Sequence, residues 1–227
     1  MNKKNMNKAL LFKEWIKTRW VLFLLLTVFM LAMGYITLRL NSAVRNVGMA
    51  HLWEVFIVKN VVLLNQLRYF PLLAGITVGL AQYIPEMVKK RLKLTLHLPL
   101  SENRILFVML GYGLSTLFIL FLIPYFLFLS GLSFHFPEEI VWAWFGTILP
   151  QILGGFAAYL LTAWIILEPT WERRLGNTII GLLLLSLFLI EESPWAYLYL
   201  FPLLTGSLVI LSFLPRISIR RFKTGLQ

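Results

Sequence analysis

The side chains best suited to chemistry in this sequence are polar residues that interrupt long apolar runs. Asn65, Gln66 and Arg68 fall within one such run, and Gln151 follows Pro150 in another. Polar groups inside a membrane cost several kcal/mol unless they are paired or hydrated, and for this reason they often mark substrate pathways. The four residues Asn65, Gln66, Arg68 and Gln151 are therefore the candidate substrate path.

Arg68 also has a structural interpretation. If its apolar run begins near Val61, Arg68 lies about 10 Å below the outer surface at the rise of an α-helix. A long arginine side chain can reach the interface from that depth by snorkelling, or it can pair with a neighbouring group. Both interpretations stay open on the sequence alone.

Several kinds of catalytic site are missing from the sequence. It has no cysteine and no aspartate, and it lacks the glycine-rich loop with lysine that cradles ATP phosphates, the His-Glu-x-x-His zinc motif and the Gly-x-Ser-x-Gly elbow. Its histidines are too scattered along the predicted topology to share one metal. We expect a chain that is not an enzyme by itself and that holds no metal.

The composition predicts an all-α polytopic membrane protein. Of 227 residues, 59% are hydrophobic and 14% charged, and the mean hydropathy is +0.79. Most of the chain consists of apolar runs near the ~20 residues that cross a bilayer as a helix, so residues 1–227 form one transmembrane domain. The six predicted spans are Trp20–Leu38, Val61–Tyr83, Ile105–Leu129, Ile140–Leu167, Asn177–Ile190 and Trp195–Leu214.

Positive charge predicts the orientation of these spans, because cytosolic loops carry the excess of lysine and arginine. With the N-terminus inside, six cations precede Trp20, five lie within 89–104, two at 173–174 and four after Leu214, so the inner segments hold 17 of 21. Both termini are then cytosolic. The formal charge of +11 marks topology rather than nucleic-acid binding, because the cations flank apolar runs.

The segment 1–19 is predicted to contain an interfacial amphipathic helix that turns into the first span. A helical turn of 100° per residue places Phe12, Trp15 and Ile16 on one face, with Glu14 between two lysines on the other. A basic helix with aromatic residues is typical of the headgroup plane. The alternative is a solvated tail.

The inner segment 86–104 combines cations with regularly spaced leucines. We expect a short helix here that ends before Pro99, because a lone strand would have no pairing partner. Its apolar side chains with basic flanks suit either a soluble partner or the anionic membrane surface. The residues expected to contact a partner are Glu86, Lys89, Lys90, Arg91, Leu92, Leu94, Leu96, Leu98 and Pro99.

Two groups of small residues predict close helix packing. Gly75 and Gly79 form a small-xxx-small motif, and Gly154 and Gly155 begin another small-residue face. Such motifs serve equally within one bundle or between two protomers.

The layout resembles the ABC-2 type permeases, the membrane subunits of ATP-binding-cassette exporters. The stretch 11–19, Leu-Phe-Lys-Glu-Trp-Ile-Lys-Thr-Arg, resembles the elbow helix of that family, and Leu98-Pro99-Leu100-Ser101 resembles the step after its coupling helix. A short fifth span followed by an acidic outer turn is also similar.

The resemblance implies a half-transporter that pairs with a second permease copy, identical or not, and with cytosolic ATPases. ATP and Mg²⁺ would be bound by those ATPases, and the loop 86–104 would receive their motion. It further implies a bacterial cytoplasmic membrane and export as the direction of transport. The alternative is a non-transporting scaffold or regulator that anchors a soluble partner.

Overall fold

The computed structural model describes residues 3–59, 68–88, 92, 95, 101–190 and 195–223, and this part of the chain is helical without any strand. A π-helical turn, Glu54–Val58, follows the second helix. The seven α-helices are α1 (Lys3–Val47), α2 (Met49–Trp53), α3 (Tyr69–Val88), α4 (Glu102–Ser133), α5 (Glu138–Leu167), α6 (Trp171–Ser186) and α7 (Phe201–Lys223). The all-α prediction is confirmed.

Four of these helices are long and apolar enough to cross a membrane, namely α1, α4, α5 and α7. The predicted first, third and fourth spans each lie inside one of them. The chain is therefore an integral membrane protein. The predicted second span corresponds to α3, although its first residues lie outside the described part.

The boundaries of the last two predicted spans need correction. The helix of the fifth span begins at Trp171 instead of Asn177 and ends at Ser186, so its 16 residues extend about 24 Å. The helix of the sixth begins at Phe201, because residues 195–200 form turns. There, Trp195 adopts a φ of 63° and its ring lies against Gly146, where an added Cβ would come within 2.6 Å.

The sequence also predicts a basic cytosolic tail over 215–227, after the last span. Helix α7 continues through Pro215 to Lys223, and the burial of Ile219 and Phe222 stabilises its last turns. The last four residues lie outside the described part.

The predicted turn between an N-terminal interfacial helix and the first span is absent. Helix α1 continues for 45 residues, or about 68 Å, since neither glycine nor proline occurs between Lys3 and Met33. It ends where Gly48 adopts a φ of 82°. A hydrocarbon layer of ~30 Å cannot contain this length, so α1 projects beyond the membrane.

The N-terminal part of α1 has its polar side turned inward. Phe12, Trp15 and Ile16 share an exposed face as predicted, with 65, 40 and 47% of their surface accessible. Glu14 and Thr18 are fully buried against neighbouring helices. The polar face was expected in water or headgroups, and this expectation is wrong because α3 and α4 offer it hydrogen-bonding partners.

Contacts along α1 fix the directions of its neighbours. Near its middle, the Phe29 ring lies 5.7 Å from that of Phe70 and 6.2 Å from that of Tyr125, measured between centroids. Near its start, α1 meets the last turns of α3 and the first turns of α4. Thus α3 is antiparallel to α1, and α4 is parallel to it.

Helices α3 and α5 approach each other through glycine. A Cβ on Gly75 would overlap the carbonyl oxygen of Gly155, and one on Gly79 would lie 2.8 Å from Cγ2 of Thr162. The small-xxx-small motif therefore serves packing within the bundle, one of the two alternatives that the sequence left open.

We expect Gly75→Ala to lower the free energy of unfolding by about 1 to 3 kcal/mol, because its methyl group meets backbone that cannot move aside. The measurement is thermal unfolding of the purified protein in detergent. Gly111→Ala is the control, since a Cβ there has nothing within 4 Å. Equal melting temperatures for the two variants would show that the contact is looser than described.

Candidate functional site

A cluster of four charged side chains lies where α1, α3 and the following inner segment meet. We call Lys13, Glu14, Lys17 and Glu86 the ion cluster. Three come from α1 and share one side of it, because positions three and four apart are neighbours on a helix. Glu86 comes from the last turn of α3.

The four groups alternate in charge and lie in direct contact. Lys17 Nζ lies 2.7 Å from the Glu14 carboxylate and 2.8 Å from Oε1 of Glu86, and it donates to the carbonyl oxygen of Gln82 at 3.3 Å. Lys13 Nζ lies 2.9 Å from Oε1 of Glu86. Two ammonium groups thus compensate two carboxylates.

Burial makes this compensation necessary. The side chains of Glu14 and Glu86 have no accessible surface, and that of Lys17 has 9%. Burial disfavours the charged form of Glu86, but the hydrogen bonds and charges of Lys17 and Lys13 outweigh it and hold the pKa of Glu86 below its usual value. Breaking such a pair leaves an uncompensated charge away from water, so the cluster fixes α1 against α3.

Hydrogen bonds continue from the ion cluster into the bundle. Gln82, one turn before Glu86, donates from Nε2 to the carbonyl oxygen of Met109 at 2.9 Å and accepts from the Tyr159 hydroxyl at 2.8 Å. The Tyr83 hydroxyl lies 3.0 Å from that of Tyr159. This network joins α3, α4 and α5.

Helix α1 has its own bond to α4. The hydroxyl oxygens of Thr18 and Tyr112 lie 2.6 Å apart, and Thr18 also donates to the carbonyl oxygen of Glu14 at 3.1 Å. Every residue in this contact is buried. The bond therefore connects the first turns of α4 to the part of α1 that carries the ion cluster.

The ion cluster also holds the inner segment that follows α3. Lys13 donates from Nζ to Oγ1 of Thr95 at 2.8 Å, and Thr95 and Leu92 are 5% and 0% accessible. Both residues are helical, and the rest of 89–100 lies outside the described part. The segment is therefore attached to α1 as well as to α3.

The predicted partner-contact residues divide into two groups. Glu86 and Leu92 are buried within the chain itself, so they position the segment and offer no free surface. The exposed residue at its start is Val88, at 74%. Partner contact stays a prediction for those outside the described residues, Lys89, Lys90, Arg91, Leu94, Leu96, Leu98 and Pro99.

The candidate substrate path is described only in part. Arg68 precedes α3 and donates from Nη2 to the Tyr69 hydroxyl at 2.5 Å, with its guanidinium 4.7 Å from the ring centroid. Gln151 is half-buried in α5. Asn65 and Gln66 lie outside the described residues, so the path stays a prediction.

A second polar cluster, centred on Glu168, lies where α5 ends. Its buried carboxylate accepts from Ser218 Oγ at 2.7 Å and from Thr170 Oγ1 at 3.2 Å, and Nη1 of Arg221 lies 3.4 Å away. Arg174 donates to the carbonyl oxygen of Glu168 at 2.8 Å. This cluster joins α5 and α7 across the turn before α6.

Neither cluster is among the sites predicted from the sequence, because their partners come from helices that are far apart along the chain. A usable signal existed in the first case: Lys13, Glu14 and Lys17 fall on one helical face beside an apolar face, which needs polar partners if the apolar face meets lipid. The sequence around Glu168 contains a weaker signal, because its partner Ser218 lies 50 residues away.

The arrangement suits mechanical connection better than catalysis. The Glu86 carboxylate is buried and bound to two lysines that hold its pKa below the usual value, so it is a poor acceptor for a substrate proton. Within the described part of the chain, no three histidine or acidic residues are grouped to hold a metal. The ion cluster connects the inner segment at Thr95 to α1 and α3.

Comparisons with known proteins give no match, whether with protein-family models, curated proteins or solved structures.

We expect Glu86→Gln to destabilise the protein by about 3 to 5 kcal/mol, because Lys17 and Lys13 then lose a buried counter-charge. Thermal unfolding in detergent is the measurement. The control is Glu54→Gln, which removes a solvent-exposed pair with Lys59 and should cost less than about 1 kcal/mol. Similar losses in both variants would contradict the dependence of the fold on the ion cluster.

Proposed function

We propose that this chain is the membrane subunit of an ABC-2 type transporter that moves its substrate, by export, with energy from a separate cytosolic ATPase. One observation carries the proposal: the ion cluster attaches the inner segment at Thr95 to α1, while Glu86 attaches the cluster to α3. A cytosolic ATPase that displaces this segment would therefore displace two helices. The bacterial cytoplasmic membrane, with both termini in the cytosol, is part of the proposal.

The contacts of Lys13 support this role. Lys13 contacts Thr95 and Glu86 together, so Thr95 cannot move away from α3 without breaking its hydrogen bond to Lys13 or taking α1 with it. Gln82 continues the connection to α4 and α5. Closure of the ATPase on ATP and Mg²⁺ would then alternate the access of a path between two permease copies.

Six crossings suit this function, and the packing of α3 and α6 supports them. Helix α3 is antiparallel to α1 along its whole described length. Helix α6 is antiparallel to α5, since a Cβ on Gly181 would contact Ile165 and one on Gly154 would contact Phe188 just beyond the end of α6. Both shorter helices thus lie beside membrane-crossing ones.

Single cysteines test the six crossings, because the natural chain has none. We expect Phe134→Cys to react with a membrane-impermeant maleimide from outside intact cells, and Glu172→Cys to react only after permeabilisation. Phe134 is 84% exposed, so access is not limited by packing. Lys8→Cys is the control for the cytosolic side. Reversed labelling at 134 and 172 would contradict six crossings and also the parallel packing of α1 and α4.

The alternative function is a non-transporting scaffold or regulator that anchors a soluble partner. The hydrogen bonds of Tyr159 to Gln82 and Tyr83 favour it. They join helices α3 and α5 inside the bundle, as a bundle that never opens would require. Recovery of an ATPase with the chain separates the two functions.

We expect a cytosolic ATPase to copurify with the tagged chain from its native host in mild detergent, identified by mass spectrometry. Reversing Lys89, Lys90 and Arg91 to glutamate should reduce its recovery at least about tenfold, since about 1.4 kcal/mol of lost binding is enough. The melting temperature should not change.

The control for that experiment reverses charge at the opposite end of the bundle, in Glu138→Lys with Glu139→Lys, and should keep the ATPase bound. Leu92→Asp is unsuitable, because Leu92 is buried and its loss would unfold the segment. Absence of any nucleotide-binding protein, or undiminished binding by the loop variant, would overturn the transporter proposal in favour of a scaffold.

A further inference from the structure

A groove of about 160 Å³ runs between α1 and α4, on the side of α1 opposite the ion cluster. Trp15, Arg19 and Phe23 line it from α1, and Thr116, Ile119 and Ile123 line it from α4. The α1 wall extends from Trp15 to Leu26, about 16 Å along the helix. The groove therefore follows the direction of an acyl chain in a bilayer.

Apart from its one charged end, the groove offers no strong polar partner. Thr116, its one hydroxyl, donates to the carbonyl oxygen of Gly113 at 3.0 Å and is already satisfied. The other lining residues are aliphatic or aromatic, except Arg19. An occupant must therefore be an amphiphile with a long apolar part.

Arg19 determines which charge the occupant should carry, because a cation favours a negatively charged group. Its exposed guanidinium lies 5.5 Å from the centroid of the Trp20 ring, and tryptophan is enriched at the level of lipid headgroups. Glu14, the nearest acidic residue along α1, points to the other side, where it bonds Lys17. The mouth of the groove thus presents a cation at headgroup depth.

We propose that this groove is a binding site for one anionic phospholipid, with an acyl chain between α1 and α4 and the phosphate at Arg19. Arginine donates two parallel hydrogen bonds to phosphate, and a lipid without net charge gains less because its own cation competes. The cytosolic leaflet, where this end of α1 is predicted to lie, is the leaflet rich in anionic lipid. The site does not depend on the proposed transport function.

Lipid titration followed by native mass spectrometry of the full-length protein in detergent tests this site. The probes are phosphatidylglycerol and phosphatidylcholine with identical acyl chains. We expect the wild type to bind one phosphatidylglycerol about tenfold more tightly than phosphatidylcholine, as one charge-assisted contact provides. Arg19→Gln should remove this preference, and Arg19→Lys should keep most of it.

Two further variants locate the lipid. Arg39→Gln is the matched control, because Arg39 is also exposed on α1 and also stacks on a neighbouring ring, 5.4 Å from that of Tyr35, but lies away from the groove. It should retain the preference. Ile119→Trp should weaken the binding of both lipids, because the larger side chain fills the groove. This variant should fold, because Ile119 is 54% exposed.

Three results would overturn the proposal. They are equal binding of both lipids by the wild type, an equal loss of preference in Arg19→Gln and Arg39→Gln, or unchanged binding in Ile119→Trp. The second result would mean that positive charge anywhere on α1 attracts anionic lipid without a built site.

Discussion

The cost of placing Glu14 and Glu86 away from water is the constraint on which the rest of the structure depends. Neither carboxylate has accessible surface, and each is neutralised by an ammonium group within 3 Å. A one-turn slip of α1 along α3 would move these groups by about 5.4 Å and leave opposite charges unpaired. The cluster therefore fixes the register of α1, and Thr18 with Tyr112 extends this register to α4.

A steric constraint complements the electrostatic one. Gly75 and Gly155 allow the backbones of α3 and α5 into contact, and this approach brings Tyr159 close enough to bond Gln82. Gly113 leaves the space that the Tyr159 hydroxyl occupies, because any Cβ there would overlap it. The polar network thus exists only because three glycines remove side chains from its path.

Composition and apolar run length were enough to predict an all-helical membrane protein and the positions of α4 and α5. They could not predict where α6 begins, because hydropathy reports the apolar part of a helix. The stretch Trp171–Gly176 is polar, yet glutamate, arginine and leucine favour helix, and Pro169 ends the preceding element. The start of α7 was misplaced because apolar residues 195–200 form turns, in which Trp195 packs against Phe145 and Gly146 near the start of α5.

The same distinction explains the candidate site. Helical periodicity correctly placed Phe12, Trp15 and Ile16 on one face, but periodicity does not say which face meets lipid. That choice depends on partners far along the chain. Gln82 and Glu86 lie 65 and 69 residues from Lys17, and Tyr112 lies 94 residues from Thr18. No local pattern reports such partners, so a polar face was assigned to water when its partners were other helices.

Segment 13–20 of α1 has opposite requirements on its two sides. One side holds charges that are stable only against α3 and the inner segment, and on the other side Trp15, Ile16 and Trp20 are exposed. Rotation of α1 would expose carboxylates to lipid, and withdrawal would break the bond to Thr95. Movement along its own axis together with α3 preserves both sets of contacts. Under the proposed function, a force on the inner segment would displace these two helices together and would reach α4 through the Thr18–Tyr112 and Gln82–Met109 bonds.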